Sequence, residues 1–588
     1  MTAKMTLPEK FFEQAARIPE QMAFYYCRSK DHKWVNMTWK RYHDEVSTLA
    51  HWLAERGVKK GDKVGILAAN RPEWIITDLA ILSLGAVSVP LYATSSAGDV
   101  QYVLEHSEAK VLIVDSLERI PYLQKTELKT LVSFEKASKK QADAFRAAEV
   151  SSFATILHDL KPELKAPVAV SPDDTATIIY TSGTTGRPKG VVHTHGNLSA
   201  AMGTALKILA NESSSERDRF FSFLPLSHVA ERVLVEIGSI ASGSEVAFAR
   251  SIDTLGEDLP RCRPTILLCV PRLWEKIYEK VQTGLLTASP VKRGVFALAQ
   301  SLGAARIKDE RVLRAKNATV AAQVSDLLVG KKMRARLGLD RCRMLVTGAA
   351  PTRPEVMRFF ASFGMMIREV YGLTENLCLG VLNDADQVVI GSCGRVFPGN
   401  EMKIAADGEI LFRAPWMFKG YYKNPEATAE VLSPDGWFAT GDLGKIDAEG
   451  RLRIVGRKKE LLKTSGGKYV APVPIEDSLK ALPLIKEAMV VGDERKYCVA
   501  LLTVDDELAR AMPSEQFKEE IKKHLKQVNQ PLASFESIKR VGIIREGFSV
   551  ENGSLTPTLK VKRNVVSRQK EQFINTLYQS EDAVIYEL

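Results

Sequence analysis

The chain has 588 residues, which at about 100–200 residues per domain predicts two to four folded units. Hydrophobic residues make up 45% and charged residues 26%, an ordinary globular composition that argues against a disordered, fibrous or coiled-coil protein. The net charge is +10, of which the residues from Arg457 onward carry +3, from 22 basic and 19 acidic side chains. An excess spread in rough proportion to length argues against nucleic acid as a partner and leaves polyanionic small ligands or weak attraction to anionic lipid open.

The sequence contains no segment that we expect to cross a membrane. The longest uncharged stretch, Leu79 to Gly98, is interrupted by serine, threonine, glycine and proline, which indicates a helix running into a strand. Residues 1–20 contain no apolar run of signal-peptide length, so we expect a cytoplasmic protein, with peripheral membrane association left open. Seven cysteines without a CxxC pair favour reduced thiols over disulfides or a zinc site.

Strand-like and helical patterns alternate through the first part of the chain. The predicted strands cover 64–70, 86–92 and 109–115, and the predicted helices cover 72–85 and 97–107. Because β-α-β order brings strands together through crossover helices, this alternation predicts an α/β protein with layered parallel sheets.

Two further features predict the domain organisation. Residues 285–339 are rich in Ala, Lys and Arg with few turn signals, which indicates a helical insertion. An apparent hairpin over 444–454 gives way to a basic cluster that starts at Arg457. We therefore expect an N-terminal domain of residues 1–456 and a small C-terminal α/β domain of residues 457–588.

The strongest chemical signal is a loop of small residues between two β-branched runs, in the segment from Thr175 to Leu198. Glycines let backbone amides approach an anion, hydroxyls add hydrogen-bond donors, and a lysine adds positive charge. The loop suits a triphosphate, although its spacing differs from the GxxxxGK[ST] loop of kinases and ATPases. We expect Asn197 to cap the helix that follows. The residues predicted to hold the phosphates are Thr181, Ser182, Gly183, Thr184, Thr185, Gly186 and Lys189.

This string resembles the phosphate loop of the AMP-forming acyl-CoA synthetases and their adenylating relatives. Further segments follow in that family's order from about Leu7 to Val566. The resemblance implies a large N-terminal domain that binds ATP and the acyl group, and a small mobile C-terminal lid. It also implies ATP and CoA as co-substrates and Mg²⁺ as cofactor.

Two strand-to-loop segments, Arg343–Pro351 and Met366–Glu375, match segments of the family that surround the nucleotide. The family packs adenine against a small-residue turn and an aromatic ring, and uses a glutamate for Mg²⁺, which prefers hard oxygen ligands. The resemblance places Gly348, Ala349, Ala350, Pro351, Tyr371 and Gly372 at the nucleotide, Thr374 at the phosphate, and Glu375 with Thr184 on Mg²⁺.

The family's next motifs lie around the expected domain boundary. The resemblance places the ribose hydroxyls on Asp442, with Arg457 completing that contact, and places the lid's hinge at Lys459. It also places Gly466 and Gly467 beside the pantetheine arm of CoA. Without the family, the aspartate would more often be a turn former and the glycine pair an ordinary turn.

A lysine of the lid is expected at the reacting atoms. Many family members have a Gly-Lys pair at the end of this loop, whereas this chain has Leu559 followed by Lys560, the form of the long-chain group. Lys560 is therefore the predicted catalytic lysine, bridging the reacting carboxylate and the α-phosphate, and Lys562 is the fallback.

The segment Phe223–Arg232 resembles the LPLxHxxER motif of long-chain acyl-CoA synthetases, and the resemblance places His228 on the carboxylate side of the acyl site. A buried histidine satisfied by the backbone is the competing interpretation. Val229, Ala230 and Arg232 lie in the neighbourhood where some long-chain enzymes have a gating tryptophan, which puts such a gate in doubt here.

The resemblance implies an ATP-dependent long-chain fatty acid:CoA ligase, which forms acyl-AMP and pyrophosphate and then transfers the acyl group to CoA. The expected catalytic residues are Lys560, Glu375, Thr184 and His228. Two alternatives stay open. The first is a fatty acyl-AMP ligase or adenylating enzyme that donates to a separate carrier protein, and the second is a noncatalytic nucleotide or lipid sensor.

Overall fold

The computed structural model of the chain describes residues 5–28, 33–123, 127–145, 148–181, 187–211, 217–309, 312–314, 319–505, 509–510, 512–549, 552–555 and 561–587. Within these residues the strands form an eight-stranded sheet, a nine-stranded sheet, two four-stranded sheets, a three-stranded sheet and a two-stranded sheet.

The eight-stranded sheet carries the hairpin that holds the predicted phosphate loop. Its strands, in order across the sheet, are Gly420–Tyr421, Lys189–Thr194, Thr175–Thr181, Val87–Leu91, Lys63–Leu67, Val111–Val114, Thr130–Ser133 and Glu149–Ser152. The last five are parallel to their neighbours, which confirms the β-α-β alternation read from the sequence. The first three are antiparallel, so the phosphate hairpin lies towards one edge of the sheet.

The nine-stranded sheet carries the segments predicted to meet adenine. Its strands, in order across the sheet, are Arg395–Val396, Val381–Leu382, Ile367–Tyr371, Met344–Thr347, Ile266–Cys269, Arg219–Ser222, Glu245–Phe248, Met22–Cys27 and Trp34–Thr38. The central pairs are parallel. Because the carboxyl ends of parallel strands meet at one edge of a sheet, loops that leave neighbouring strands there lie side by side.

Helices cover both large sheets and the C-terminal sheet. The α-helices of the described chain are Leu7–Arg17, Trp39–Glu55, Pro72–Ser83, Ala97–Ser107, Lys139–Asp143, Phe153–Asp159, His195–Asn211, Val229–Glu231, Gly238–Ser242, Leu255–Cys262, Pro271–Leu286, Pro290–Gly303, Val320–Ser325, Lys331–Leu337, Pro354–Ser362, Pro425–Val431, Pro472–Leu479, Ser514–Asn529, Arg563–Gln569 and Glu571–Gln579. Two π-helical segments, Arg232–Ile237 and Asp326–Gly330, continue short helices.

The helix after the phosphate hairpin begins at His195, two residues before the predicted cap. The backbone N–H of Asn197 donates to Thr194 Oγ1 (3.1 Å), and the backbone N–H of Thr194 donates to Asn197 Oδ1 (3.0 Å). Thr194 is therefore the capping residue, and Asn197 is its reciprocal partner in the first turn. The prediction that Asn197 itself caps the helix was wrong by one turn.

The predicted helical insertion over 285–339 is only partly helical. It contains the helices Pro290–Gly303, Val320–Ser325 and Lys331–Leu337, which agree with the prediction. It also contains the strands Ile307–Asp309 and Val312–Arg314, which pair with each other and with Gln387–Val389. Strands of three residues are too short for a period-of-two pattern to stand out, so the sequence did not indicate them.

The third sheet is antiparallel and consists of Glu401–Ile404, Glu409–Arg413, Phe438–Ile446 and Leu452–Arg457. It confirms the hairpin predicted over 444–454, because Gly444 lies opposite Ile454. Its last strand ends at Arg457, where the expected domain boundary falls. The boundary itself stays a prediction.

The residues that follow form the C-terminal sheet, with strands Ile485–Val491, Cys498–Val504, Ile538–Ile543 and Val584–Tyr586. The final strand is parallel to its neighbour, and Lys570 Nζ holds Glu587 Oε1 at 2.8 Å. Between the third sheet and the C-terminal sheet, the two-stranded sheet joins Leu462–Lys463 to Tyr469–Val470. The last residues of the chain therefore complete the C-terminal sheet.

The observed architecture confirms the predicted α/β class, with a large N-terminal part built on parallel strands and a small C-terminal part. Among the described residues, no two cysteines are joined in a disulfide. Among the helices of the described residues, none combines the length and apolar character that a bilayer span requires.

A buried charged cluster ties three elements of the N-terminal part together. The Arg232 guanidinium, 2% exposed, donates to Asp78 Oδ2 (2.5 Å), to Glu236 Oε2 (3.3 Å) and to Thr177 Oγ1 (2.8 Å). These partners belong to a helix, the π-helical segment and the strand that leads into the phosphate loop. Because a buried charge without a partner is costly, the cluster fixes the three elements relative to one another.

Replacing Arg232 should destabilise the protein strongly. In Arg232→Met the buried side chains of Asp78 and Glu236 lose their guanidinium partner, and a loss of about 3–5 kcal/mol is expected for breaking a buried ion pair. The midpoint of thermal unfolding measures this. The matched control, Arg413→Met, breaks the exposed pair with Glu401 and should leave the midpoint almost unchanged. A wild-type midpoint in Arg232→Met would contradict the account of the cluster.

Candidate active site

The predicted phosphate loop joins the two strands of an antiparallel hairpin. Thr181 ends the first strand and Lys189 begins the second, and the two residues are paired across the hairpin. Lys189 Nζ lies 4.8 Å from the centroid of the Tyr421 ring, on the strand next to the hairpin. Both ends of the loop are thereby fixed. The other predicted phosphate ligands, Ser182, Gly183, Thr184, Thr185 and Gly186, lie outside the described residues.

The segments predicted to meet adenine leave neighbouring strands of the nine-stranded sheet. The turn 348–351 follows Met344–Thr347, and Gly372 follows Ile367–Tyr371. The two strands are parallel and adjacent, so the structure brings the two segments together at the carboxyl edge of the sheet.

Small residues are required where these two turns pack. A Cβ on Gly348 would lie 2.8 Å from Val370 Cγ1, and a Cβ on Gly372 would lie 2.5 Å from the Cys378 backbone. Ala349 has a φ of +73°, a conformation that disfavours larger side chains. Ala349, Ala350 and Pro351 are exposed, so this turn offers a backbone surface that a flat ligand can approach.

The carboxylate of Asp442 is the centre of a hydrogen-bond cluster that joins this edge to the third sheet. Arg457 Nε donates to Asp442 Oδ1 at 2.8 Å, and the Tyr371 hydroxyl donates to Asp442 Oδ2 at 2.6 Å. Asp442 and Arg457 face each other on neighbouring strands, and Asp442 is 5% exposed. Three residues predicted to contact the nucleotide therefore meet in space, although Tyr371 and Asp442 are 71 positions apart in the sequence.

Ionic contact and burial set the protonation of this cluster. Burial acts to lower the pKa of Arg457, but the neighbouring Asp442 outweighs it and raises that pKa well above its usual value. Burial and the adjacent carboxylate both raise the pKa of the Tyr371 hydroxyl. At neutral pH the cluster therefore contains a cationic guanidinium and a neutral phenol, both donating to one carboxylate.

Glu375, predicted to hold Mg²⁺, is half-buried in a short 3-10 turn after the adenine segment. Its Oε1 accepts a 2.7 Å hydrogen bond from the Tyr421 hydroxyl. Burial raises the pKa of Glu375, and the Tyr421 hydrogen bond opposes that shift. A carboxylate oxygen is the hard ligand that Mg²⁺ prefers, usually shared with substrate phosphates, so the donor chemistry fits. Thr184, the second predicted ligand, lies outside the described residues.

His193 forms a hydrogen bond with the backbone of Thr374, a residue predicted to contact the phosphate. The imidazole is fully buried, and its Nε2–H donates to the Thr374 carbonyl at 2.8 Å. Burial lowers the pKa of His193 to about 4. A neutral imidazole thus links the second strand of the phosphate hairpin to the turn that carries Thr374 and Glu375.

His228, predicted on the carboxylate side of the acyl site, begins a helix. Its Nδ1 accepts from the backbone N–H of Ala230 at 3.2 Å, and its ring lies 6.4 Å from the ring of Tyr92. The side chain is half-buried, so a backbone contact accounts for one ring nitrogen, as the competing interpretation expected. The role of His228 towards a substrate stays a prediction.

An apolar cavity of about 80 Å³, partly open to solvent, begins beyond this helix. Its walls include parts of the helix His195–Asn211, of the segment after His228, of the strands Met344–Thr347 and Ile367–Tyr371, and of the loop after Glu375. The lining residues are Ala205, Ile208, Leu209, Ala230, Val233, Leu234, Gly238, Leu268, Met344, Val346, Val370, Leu377, Cys378, Leu379, Leu382 and Phe397.

The residues predicted in the lid follow Arg457 in the chain. Lys459 is exposed in a 3-10 turn directly after Arg457, beside Lys458, whose Nζ pairs with Asp407 (2.6 Å). Gly466 and Gly467 form the exposed turn of the two-stranded sheet. Lys560 lies outside the described residues. The fallback, Lys562, precedes the helix Arg563–Gln569.

Two residues of the site were missed by the sequence analysis. Tyr421 contacts both Glu375 and the cation of Lys189, and His193 supports Thr374. Neither residue had a local sequence signal. In the sequence, His193 is one polar residue in a strand-like run rich in valine and threonine, and Tyr421 is one of two adjacent tyrosines shortly before Pro425.

Comparison with protein families identifies the class. The family model described as AMP-binding enzyme matches residues 11–422, and the model described as AMP-binding enzyme C-terminal domain matches residues 459–582. The chain belongs to the AMP-binding enzyme family, which confirms the family inferred from the phosphate loop and the segments that follow it.

The similar curated proteins include ligases of one kind. The long-chain-fatty-acid–CoA ligase FadD15 of Mycobacterium bovis is 36% identical over 584 residues, covering 95% of this chain and 94% of the relative. The long-chain-fatty-acid–CoA ligase ACSBG2 of Gallus gallus is 32% identical over 634 residues, covering 98% of this chain and 81% of the relative.

Solved structures share the fold at low identity. The A domain of the carboxylic acid reductase from Segniliparus rugosus, in complex with AMP and a carboxylic acid, superposes with a TM-score of 0.78 at 21% identity, covering 98% of this chain and 95% of that one. The o-succinylbenzoate CoA synthetase MenE from Bacillus subtilis gives 0.69 at 22% identity, covering 95% and 97%.

Acidification should destabilise the protein through His193. Its pKa is about 4 when folded and about 6.5 when unfolded, so the unfolded chain binds the extra proton and stability falls as the pH drops below 6.5. By pH 5 the loss from this group is about 2 kcal/mol. His193→Gln should therefore flatten the decline of the unfolding midpoint between pH 7 and pH 5. The exposed His158→Gln control should keep the wild-type slope, and equal slopes in all three proteins would refute the assignment.

Proposed function

We propose that this protein activates a long-chain fatty acid with ATP and transfers the acyl group to CoA. In the first step a carboxylate oxygen of the acid attacks the α-phosphorus of ATP, and pyrophosphate leaves, giving acyl-AMP. In the second step the CoA thiol attacks the acyl carbon, gives up its proton and expels AMP. The proposal is supported by the family of the chain and by the activity named for FadD15 and ACSBG2.

The observation that carries the proposal is that the same two strands line the apolar cavity and lead into the turns predicted to hold the nucleotide. Val370 lines the cavity, and the next residue, Tyr371, donates to Asp442. Val346 lines the cavity on the neighbouring strand, whose next turn is 348–351. A fatty acid in the cavity would therefore present its carboxylate where the strands end, beside a nucleotide at the turns, as an in-line displacement requires.

The residues around the nucleotide would position it and stabilise developing charge. The hairpin from Thr181 to Lys189 would hold the phosphates, and Asp442 with Arg457 would hold the ribose. Bound Mg²⁺ would be held by Glu375, with Thr184, and would neutralise phosphate charge. Removing one preorganised donor from such a site costs about 10²–10³-fold in rate, which sets the scale for each contact.

The lid residues would divide the two steps between them. Lys560 would bridge the carboxylate and the α-phosphate during adenylation, and a rotation about Lys459 would then withdraw it. Gly466 and Gly467 would give the pantetheine arm of CoA room in the second step. The exposure of the Lys459 side chain in the turn after Arg457 supports this assignment, because that side chain is not packed in a core that would oppose a change of its backbone dihedrals.

The two alternatives differ from the proposal in the acceptor and in turnover. An enzyme that donates to a carrier protein would form acyl-AMP but leave free CoA unchanged. A noncatalytic sensor would bind nucleotide or lipid without producing AMP. The paired carboxylate, guanidinium and phenol at Asp442 favour a working nucleotide site over a degenerate one.

Incubation of the purified protein with ATP, Mg²⁺, CoA and a mixture of C2 to C18 acids should yield AMP, pyrophosphate and acyl-CoA of the C12 to C18 acids. Mass spectrometry of the products measures this, with CoA omitted as a control that should leave only acyl-AMP. Acyl-AMP without thioester in the presence of CoA would favour the carrier-protein alternative. Absence of AMP formation, together with retained nucleotide binding, would favour the sensor.

Filling the cavity should shorten the preferred acid. Ala205 lines the cavity, and Ala210 lies on the same helix but is exposed. Ala205→Phe should lower kcat/KM for palmitate at least about 10-fold relative to octanoate, because each methylene excluded from an apolar site forfeits about 0.8 kcal/mol. Ala210→Phe should keep the wild-type ratio. An unchanged ratio of kcat/KM for palmitate to that for octanoate in Ala205→Phe would show that the acyl chain does not occupy this cavity.

A further inference from the structure

The helix Pro290–Gly303 exposes aliphatic side chains along one face. Val291 is 76% exposed, Val295 38% and Leu298 54%, and their spacing of four and three residues places them on one stripe. Scattered exposed aliphatic residues are ordinary, but a continuous stripe on a surface helix marks a site of contact.

The neighbouring helical segment repeats this feature. Val320 is 76% exposed, Val324 38%, and Leu327 65%, and these residues again follow one face from the helix Val320–Ser325 into the π-helical turn. With Leu328, they and the stripe of the first helix form what we call the aliphatic face: Val291, Val295, Leu298, Val320, Val324, Leu327 and Leu328.

Both helical segments lie on the same support, so their outer faces share one side of the molecule. A Cβ on Gly303 would lie 1.9 Å from the Ser362 carbonyl oxygen, and Ser325 Oγ donates to that same oxygen at 3.3 Å. The ring of Phe296 lies 5.0 Å from that of Phe363, and a Cβ on Gly330 would lie 3.3 Å from the Phe363 carbonyl oxygen. The two segments therefore rest side by side on the end of one helix.

Positive charge is concentrated in this region, contrary to the even distribution inferred from a division of the chain at residue 456. Residues 285–339 contain eleven basic and three acidic residues, a net of +8, whereas the whole chain carries +10. Asp326 is paired with Arg334 at 2.8 Å and approached by Arg306 at 3.6 Å. Among the side chains of this region that the structure describes, the exposed basic ones are Lys292, Arg293, Lys331, Lys332 and Arg336.

We propose that the aliphatic face and the basic residues around it dock the protein on the surface of an anionic lipid bilayer. Valine and leucine side chains would enter the boundary between headgroups and acyl chains, and lysine and arginine would meet the anionic headgroups. Lysine and arginine also reach past an apolar surface with their aliphatic stems, which suits an interface of this kind.

Two other occupants fit the surface less well. A second copy of the chain would bring the exposed basic residues of two such regions close together, and that repulsion opposes a symmetric contact. A nucleic acid would use the positive charge but not the valines and leucines, because bases stack on aromatic rings. The aromatic residue of this region, Phe296, is half-buried against Phe363.

Sedimentation with vesicles tests the proposal on the full-length protein without any turnover, so its outcome does not depend on the proposed reaction. The wild-type protein should bind vesicles of phosphatidylcholine with 30% phosphatidylglycerol at least about 10-fold more strongly than pure phosphatidylcholine, with binding that weakens as NaCl is raised. The triple variant V291S/L298S/L327S should reduce binding at least about 10-fold. The variant K292E/K331E should reduce binding to the anionic vesicles and flatten the NaCl dependence.

Matched variants elsewhere should leave binding unchanged. Ile252→Ser removes another exposed aliphatic side chain, 67% exposed, and Lys523→Glu reverses an exposed charge in the C-terminal part. Equal binding of the wild type to both kinds of vesicle, or unchanged binding in either test variant, would overturn the proposal. A wild-type dimer that the triple variant converts to a monomer in light scattering would assign the face to a second copy, and binding to RNA lost in K292E/K331E would assign it to nucleic acid.

Discussion

The geometry of the candidate site depends on the carboxylate of Asp442. A buried carboxylate needs partners to offset its desolvation, and this one obtains them from two different sheets: Tyr371 at the end of the nine-stranded sheet and Arg457 at the end of the third sheet. The next residues after Arg457 form the turn that contains the expected hinge, Lys459. One carboxylate, through a hydrogen bond and an ion pair, therefore aligns the turns predicted to meet adenine, the predicted ribose contact and the entry to the C-terminal part.

The second organising feature is that the strands Met344–Thr347 and Ile367–Tyr371 contribute both to the apolar cavity and to the predicted nucleotide surface. Their apolar residues, among them Val346 and Val370, form one wall of an apolar cavity. The turns after them pack closely at Gly348 and Gly372 and form the predicted nucleotide surface. Such an arrangement allows an apolar acid and a polyanionic nucleotide to meet end to end. The His193 hydrogen bond to Thr374 then joins these turns to the phosphate hairpin.

Features that depend on local pattern were predictable from the sequence. The phosphate hairpin, the alternating strands and helices, and the strand-to-loop turns at 348–351 and 372–375 follow from periodicity and from glycine, and the family resemblance supplied the roles. Contacts between distant residues were not predictable, because Tyr421 meets Glu375 across 46 positions and Arg232 meets Asp78 across 154.

Two inferences from the sequence were wrong because they rested on the average charge or composition of long segments. Splitting the charge count at residue 456 concealed the basic residues of 285–339, and reading that region by composition concealed the short strands that pair with Gln387–Val389. Exposure of the aliphatic face could not be read from the sequence either, because the same spacing of valine and leucine is what a buried helix face shows. Only the packing of Phe296 and Gly303 against the supporting helix determines which face points outward.

The most direct test of the account is the affinity for AMP, measured by isothermal titration calorimetry in Asp442→Asn. The substitution keeps the shape of the side chain but removes the charge that the ribose hydroxyls and Arg457 are proposed to share, so binding should weaken by about 10–100-fold, as for loss of a charged hydrogen bond. Asp407→Asn, which alters an exposed partner of Lys458, should bind AMP as the wild type does. Wild-type affinity in Asp442→Asn would contradict the placement of the nucleotide at this carboxylate.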